Sequence, residues 1–301
     1  MHDPLSDVLR LTDAESVMSG GFAAGGRWAL RFPPPKKIKF FALTRGTCLL
    51  RVDGEKNAAT FEPGDVFLAT GRKGFVFASS PGTEPRDARR VFARDTFVTI
   101  GDGADHVFIA GHVSLNPSNG ALLTDVLPPT IHVRAASPQA AMLHWIVEHI
   151  VHERGSSEPG SAVVSAQLAQ LLFVQIVRAH LADASLPPGW LRAVADVRIA
   201  PAMRLMHAEP AREWTVEELA KAAAMSRTTF ADRFKSVAGV APLTYLTQWR
   251  MHLAQRRLRD HDESILELAE SLGYASESSF SNAFKRVIGI APRNYRLAAR
   301  R

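Results

Sequence analysis

The stretch "FKSVAGVAPLTY", residues 234–245, returns fifty positions later as "FKRVIGIAPRNY", residues 284–295. Phe230, Phe234, Lys235, Gly239, Pro242 and Tyr245 each meet the same residue at that offset, in Phe280, Phe284, Lys285, Gly289, Pro292 and Tyr295. Upstream, "VEELAKAAAMSRTTF" answers "ILELAESLGYASESSF", with Leu219 and Ala220 matched by Leu268 and Ala269. A solenoid stacks several such units; two copies make a duplicated module. The C-terminal third must therefore build one small unit twice and hold the copies apart.

Each copy reads as helix, short turn, helix. Thr215 caps "VEELAKAAA", whose first turn is acidic as the helix dipole prefers, and Ser226 caps the next helix. Ala220 and Ala269 are small where paired helices cross closely. This is the layout of a helix-turn-helix unit, whose second helix enters the DNA major groove. Phe230, Phe234 and Val237 share the face that must be buried, which leaves Thr228, Asp232 and Lys235 outward beside Ala231. In the second copy Phe280, Phe284 and Val287 turn inward, and Ser278, Asn282 and Lys285 turn outward beside Ser281. Asn reads adenine bidentately, Asp accepts from cytosine, and Ser is permissive. Arg227, Arg233, Lys235, Lys285 and Arg286 suit phosphates, which set register without reading sequence.

Between the copies runs "LTYLTQWRMHLAQRRLRDHD", free of Gly and Pro from Leu243 to Arg259. As a helix it spans about 25 Å at 1.5 Å per residue. Such a rod can hold two heads about one duplex turn apart, roughly 34 Å. Arg250, Arg256 and Arg257 lie along it, and Arg250 joins the expected phosphate contacts.

Charge agrees with this division. Residues 195–301 hold 17 basic against 12 acidic side chains, while the remainder holds 19 against 18. A near-neutral front and a basic tail suggest a polyanionic partner for the tail. The single cysteine, Cys48, lies in the alternating run "TCLLRV"; it permits no internal disulfide and suits a reducing cytoplasm. No signal-like N-terminus and no stretch of roughly 18 uncharged apolar residues are read in the sequence, so no membrane is expected.

The front half follows a different rhythm. "CLLRVDGEKNAATF" and "ATFEPGDVFLA" place Asp-Gly and Pro-Gly-Asp turns between apolar runs, and "HVFIAGHV" alternates. Short strands at this spacing predict a small antiparallel barrel or sandwich over residues 27–113. "SPQAAMLHWIVEHIVHERG" then predicts a helix capped by Ser137 with Pro138 first, and "VVSAQLAQLLFVQIVRAHLAD" a second. The second puts Leu168, Leu171, Leu172, Gln175 and Ile176 on one stripe and Phe173, Val174 and Val177 on the other side, more apolar surface than one packing face needs. "LADASLPPGW" reads as a linker.

"MSRTTFADRFKSVAGVAPLTYL", "RMHLAQRRLRD" and above all "ELAESLGYASESSFSNAFKRVIGIAPRNYR" resemble the AraC/XylS family of transcription regulators over about 100 residues. The resemblance implies a seven-helix domain with two helix-turn-helix units in adjacent major grooves. It places base reading on Thr228, Ala231, Asp232, Glu277, Ser278, Ser281 and Asn282. Ala231 cannot hydrogen-bond a base, and an acid at 232 departs from the commoner Arg or Gln, so base preference does not carry over. "GTCLLRVDGE", "FEPGDVFLA" and "LPPTIHV" are similar to the cupin-type sensor domain of some of these regulators. Cupins that bind metal use histidines near positions where this chain has Phe41 and Phe75, so no metal and no cofactor is expected.

His106 and His112 stand an even six residues apart on "HVFIAGHV" and project to one side of a regular strand. With Phe41 and Phe75 they are the candidate lining of a ligand pocket. His149 and His152 lack zinc-protease spacing, and "GGFAAGG" lacks the Lys-Ser/Thr of a phosphate loop. The expected architecture is α+β: an N-terminal antiparallel cupin-like β-barrel over 1–135, two dimerisation helices in 136–183, a linker at 184–194, and an all-α double helix-turn-helix domain over 195–301. The expected function is a cytoplasmic, sequence-specific transcription regulator, not an enzyme, acting as a homodimer on double-stranded promoter DNA. RNA polymerase is a further partner if it activates, and a small-molecule effector acts through the barrel. The alternatives are a constitutive regulator whose barrel is only a scaffold, and a cupin enzyme with a DNA-binding appendage.

Overall fold

The computed structural model describes residues 3–103, 105–156, 158–182 and 186–299. Helix α1 (Pro4–Leu11) precedes β1 (Glu15–Ala24), β2 (Ala29–Phe32), β3 (Ile38–Arg45), β4 (Cys48–Val52) and β5 (Ala59–Phe61). Next come β6 (Val66–Ala69), β7 (Phe75–Ala78), β8 (Arg86–Asp87), helix α2 (Ala88–Val91), β9 (Phe97–Ile100) and β10 (His106–Ser114). Helix α3 (Ala121–Thr124), β11 (Thr130–Val133), α4 (Ala140–Gly155) and α5 (Ser161–Leu181) complete the front. The remainder is helical: α6 (Trp190–Ala195), α7 (Ala200–Ala208), α8 (Val216–Ala222), α9 (Arg227–Ala238), α10 (Pro242–Asp260), α11 (Ile265–Ser271), α12 (Glu277–Ile288) and α13 (Pro292–Ala299).

Contacts divide the chain into two compact units, and the division does not follow the expected boundaries. One unit takes the described residues of 15–114 and 127–183; the other takes those of 184–301 with 1–14 and 115–126. The expected linker is helical from Trp190, because Trp190 and Leu191 are apolar and buried.

In the strand unit, the expected antiparallel barrel is instead two open sheets, ordered β11-β6-β3-β10-β1-β9 and β5-β4-β7-β2-β8. No sheet closes among the described residues, and the edge pairs β1–β9 and β2–β8 are parallel. The sheets meet through phenylalanines: Phe77 lies 4.9 Å from Phe108, Phe67 4.9 Å from Phe75, and Phe41 5.4 Å from Phe75, centroid to centroid. Offset and edge-on rings of this kind add packing energy to the area they bury. The two quoted turns form as read, with Gly54 (φ 84°) and Gly64 (φ 89°) in the left-handed region that glycine tolerates.

Asp65, beside Gly64, is buried. Its carboxylate accepts from the N–H groups of Ala135 (2.7 Å) and Glu62 (3.1 Å) and pairs with His132 Nε2 at 2.8 Å. Burial alone would raise the carboxyl pKa; the His132 and backbone hydrogen bonds outweigh it and hold Asp65 below the ordinary value. Cys48 is buried, and its thiol is pushed up to about 12 by burial first and then by Asp65, so it stays protonated and inert.

Helix α4 begins at Ala140, later than expected: Ser137 and Pro138 form a turn, and Ser137 makes no cap hydrogen bond. On α5 the two expected faces merge, since Leu168, Leu172, Phe173, Ile176 and Val177 are buried together. That helix is also long and apolar enough to cross a membrane by length and composition. Its glutamines account for its being passed over in the sequence, and Gln170 Oε1 accepts from the Ser16 N–H at 3.0 Å inside the fold.

Candidate nucleic-acid interface

The duplicated sequence produces duplicated geometry. Each first helix opens on a capping box, in which cap and third residue satisfy each other's backbone N–H. Thr215 Oγ1 accepts from Glu218 N–H at 3.2 Å while Glu218 accepts from Thr215 N–H at 2.8 Å. Ser264 and Glu267 do the same at 3.1 and 2.8 Å. Both glutamate carboxyls sit below their ordinary pKa, held there first by the cap residue's N–H.

The second helices, α9 and α12, are each twelve residues long. Ser226 and Ser276 cap them through the N–H groups of Thr229 and Ser279, both at 3.2 Å, and left-handed Gly239 and Gly289 end them. Beneath, Phe230–Phe234 and Phe280–Phe284 centroids lie 5.6 and 5.8 Å apart, and Tyr245 and Tyr295 meet Phe234 and Phe284 edge-on at 5.9 and 5.6 Å. The conserved spacing of the repeat is thus the spacing of one core built twice.

That core turns the predicted faces outward. Arg227, Thr228, Asp232 and Lys235 are exposed on the first head, with Ala231 half-buried; Ser278, Asn282, Lys285 and Arg286 are exposed on the second, with Ser281 half-buried. Glu277 is half-buried and accepts from Arg293 at 3.1 Å.

Two of the expected phosphate contacts are engaged inside the helical unit. Arg233 donates to Asp196 Oδ2 at 2.7 Å, fixing α9 to the segment before α7. Arg250 donates to the carbonyls of Pro210 (2.5 Å) and Arg212 (2.8 Å) and lies 5.6 Å from the Tyr274 ring centroid. The reason is local: the 209–214 segment has carbonyls without helical partners, and Arg250 reaches them from α10. Sequence reasoning missed this segment. Its Arg212 stacks 3.9 Å over Trp214, and the juxtaposition "REW" was the available signal. Arg256 donates to the Arg10 carbonyl at 3.3 Å, and Arg257 pairs with Glu263 and Ser271.

In the strand unit the four candidate pocket residues part company. Phe41 and Phe75 are buried core residues. His106 is buried and structural: Trp28 Nε1 donates to its Nδ1 at 3.2 Å, and its Nε2 lies 3.0 Å from the Thr47 carbonyl. His112, six residues or about 20 Å along the strand, lines a cavity of about 210 Å³ with Phe41, Phe32 and Phe92. A cavity of about 330 Å³ shares Phe32, Lys39 and Phe92 with it and adds Phe75 and Pro33–Pro35. His132 is committed to Asp65, and no three His, Cys, Asp or Glu side chains gather as metal ligands among the described residues.

Two capped helix-turn-helix heads with exposed, cation-flanked second helices, joined to a strand unit, define a DNA-binding protein of two parts. Residues 3–182 match the family described as Cupin, and residues 219–298 match the helix-turn-helix domain family. A putative AraC-like transcription regulator of Streptomyces lividans is 43% identical over 92% of both chains, and one of Streptomyces antibioticus is 42% identical over the same shares. The solved DNA-binding domain of AdpA, in complex with a target DNA, is 38% identical over 34% of this chain and 91% of that one, with a TM-score of 0.33. The chain belongs to the AraC-like family of transcription regulators and carries an N-terminal cupin-type domain. It is a DNA-binding regulator of transcription.

Proposed function

We propose that the protein reads two short boxes of promoter DNA, one per head, about one duplex turn apart. The observation that carries this is the paired outward face. Thr228, Ala231 and Asp232 read bases from α9, and Glu277, Ser278, Ser281 and Asn282 from α12. Arg227, Lys235, Lys285 and Arg286 neutralise phosphates; Arg233 and Arg250 first hold the heads in place and approach the backbone from there. Helix α10, nineteen residues long, spans about 28 Å at 1.5 Å per residue, close to the pitch it must match.

The front of the chain acts as sensor and dimerisation region, with sensing in the strands of 15–114 and 127–133 and dimerisation through α4 and α5. Met142 and Trp145, one turn apart on α4, and Val163 and Val164 at the start of α5 are exposed apolar side chains, which we assign to contact with a second copy. An effector bound in the strand unit changes DNA binding because β1 and β10 continue directly into 1–14 and 115–126, which belong to the unit that carries the DNA-reading helices and where α1 packs with α6, α7 and α10. Such an effector must bind two arrangements with different affinity. The protein works in the cytoplasm, without catalysis, and contacts RNA polymerase where it activates.

A second reading has its own support. Phe41 and Phe75 fill the middle of the strand unit, as a scaffold without effector would require. Selection of bound fragments from sheared genomic DNA tests the main reading. Two short boxes about ten base pairs apart are the expected motif. A single box, or no enrichment with the full chain and with residues 195–301 alone, overturns it.

A further inference from the structure

Four residues of α10, Tyr245, Gln248, Trp249 and His252, follow the i, i+3, i+4, i+7 spacing of one helix face and together wall a cavity of about 190 Å³. Val8 of α1, Leu122 of α3, Val126, Trp190 of α6 and Ala238 at the end of α9 close it. Every one of these residues belongs to the helical unit. The repeat does not account for this wall: fifty positions after Gln248 and Trp249 stand Ala298 and Ala299. A closed cavity of about 150 Å³ holds a benzene ring. This larger and partly open one admits a substituted ring or a fused pair.

One polar atom on this wall is unanswered. Trp249 is 4% exposed, and its Nε1 is buried without a hydrogen-bond partner among the described residues. Buried donors are nearly always paired in native structures, and leaving one unmade is costly. The neighbouring groups are satisfied: Trp190 Nε1 donates to the Leu122 carbonyl at 2.9 Å, and the Tyr245 hydroxyl lies 2.7 Å from His207 Nε2. His207 stacks 4.0 Å from the Trp249 ring and holds the indole in place. His252 is half-buried, with Nδ1 3.0 Å from Gln255 Oε1. Burial outweighs that hydrogen bond and lowers the imidazole pKa, so the ring is neutral, and with Nδ1 donating its Nε2 is an acceptor. No Asp, Glu, Lys or Arg lines the cavity among the described residues. A charged ligand would be buried here without a counter-ion, whereas a neutral hydroxyl can accept from the indole and donate to the imidazole.

We infer that this cavity of the helical unit binds a small neutral aromatic ligand, its rings against Trp190, Tyr245 and the aliphatic wall and a hydroxyl or similar acceptor on Trp249 Nε1. The site goes beyond the effector assigned to the strand unit and does not rest on it. An occupant lies against Ala238, where the first reading helix ends, and against the spacer helix α10, so it bears on the first head.

The test uses the full chain with 2-naphthol, naphthalene and 2-naphthoate, the bound fraction being read by equilibrium dialysis. 2-Naphthol is expected to bind below millimolar concentration, and 2-naphthoate about tenfold more weakly or less. Trp249→Phe, which keeps an aromatic ring and removes the N–H, is expected to weaken 2-naphthol about threefold to tenfold, as for one neutral hydrogen bond, and to change naphthalene little. Val126→Phe, which fills the cavity from the α3 side, is expected to abolish binding of both, with thermal unfolding confirming that it folds. On the unaltered chain, the indole N–H resonance that is missing from the Trp249→Phe spectrum is expected to move downfield when 2-naphthol is added. 2-Naphthoate binding as 2-naphthol does, Trp249→Phe binding 2-naphthol as the parent does, or folded Val126→Phe keeping its affinity would each overturn the site. So would an unmoved Trp249 resonance, or no binding at millimolar 2-naphthol. None of these outcomes touches the strand unit, so failure here leaves the two-box reading and the sensor standing.

Discussion

Asp7 and His207 stand 200 residues apart in the chain, yet the Asp7 carboxylate lies 3.2 Å from His207 Nδ1. The other ring nitrogen of His207 lies 2.7 Å from the Tyr245 hydroxyl, and its ring stacks 4.0 Å from Trp249. The His207 side chain is fully buried. Burial first, and then Asp7, drive the Tyr245 phenol far above its ordinary range, so it remains a hydroxyl that hydrogen-bonds the imidazole. One buried histidine thus joins α1 to α7 and α10, inside the unit that reads DNA.

The first expected outcome follows from that junction. His207→Ala removes a buried ring and takes the hydrogen-bond partner from the Tyr245 hydroxyl, and should cost about 3 kcal/mol. Thermal unfolding of the full chain measures it. Asp7→Asn keeps a hydrogen-bonding group at the same place and should cost less than half as much.

The two heads differ at one backbone position. Ala224 adopts φ 51° in the first turn, where the second turn has Gly273 at φ 78°. A left-handed alanine costs about 1–2 kcal/mol, so Ala224→Gly should stabilise the helical unit by about 0.5–1 kcal/mol after glycine's entropy is counted. Gly273→Ala should go the other way and further, because a Cβ there collides with the Ala211 carbonyl. Chemical denaturation of both variants reads the opposite signs.

Asp65 sets an acid limit on the strand unit. Its folded pKa lies below the unfolded value of 3.8, so its contribution is fully present above that value and is lost as pH falls through the folded one. Unfolding free energy should decline with acid below about pH 4. Asp65→Ala should flatten that decline and cost about 3 kcal/mol at neutral pH, because His132 and two backbone N–H groups lose their acceptor.

The C-terminal architecture was legible because its determinants are local. Caps at Ser226 and Ser276, glycines at 239 and 289, and phenylalanines four apart each fix backbone or burial without distant partners. What escaped the sequence depends on meetings across the chain. The Arg250–Pro210 brace, the Arg233–Asp196 pair and the packing of α1 with α7 join residues that periodicity cannot bring together. The strand unit was legible as turns and alternation. The grouping of its strands into two open sheets follows from long-range pairing, as between Phe41 and Phe67, for which spacing offers no signal. Lys39 went unremarked because a lysine in a strand is ordinarily a solvated one; its register opposite His112 and Ala69 gives it an inner place.

The central claim is that each exposed helix reads its own box, and substitution within one head tests it most directly. Asn282→Ala in the full chain, assayed on operator variants covering both boxes, should relax base choice at one position of one box and cost roughly 1–3 kcal/mol on the preferred sequence. The other box should keep its preferences. Lys285→Ala, in the same assay, should weaken all sequences alike and reduce the salt slope by about one. Equal losses for Asn282→Ala on operator and random DNA, or altered preference in both boxes at once, would contradict two independent heads.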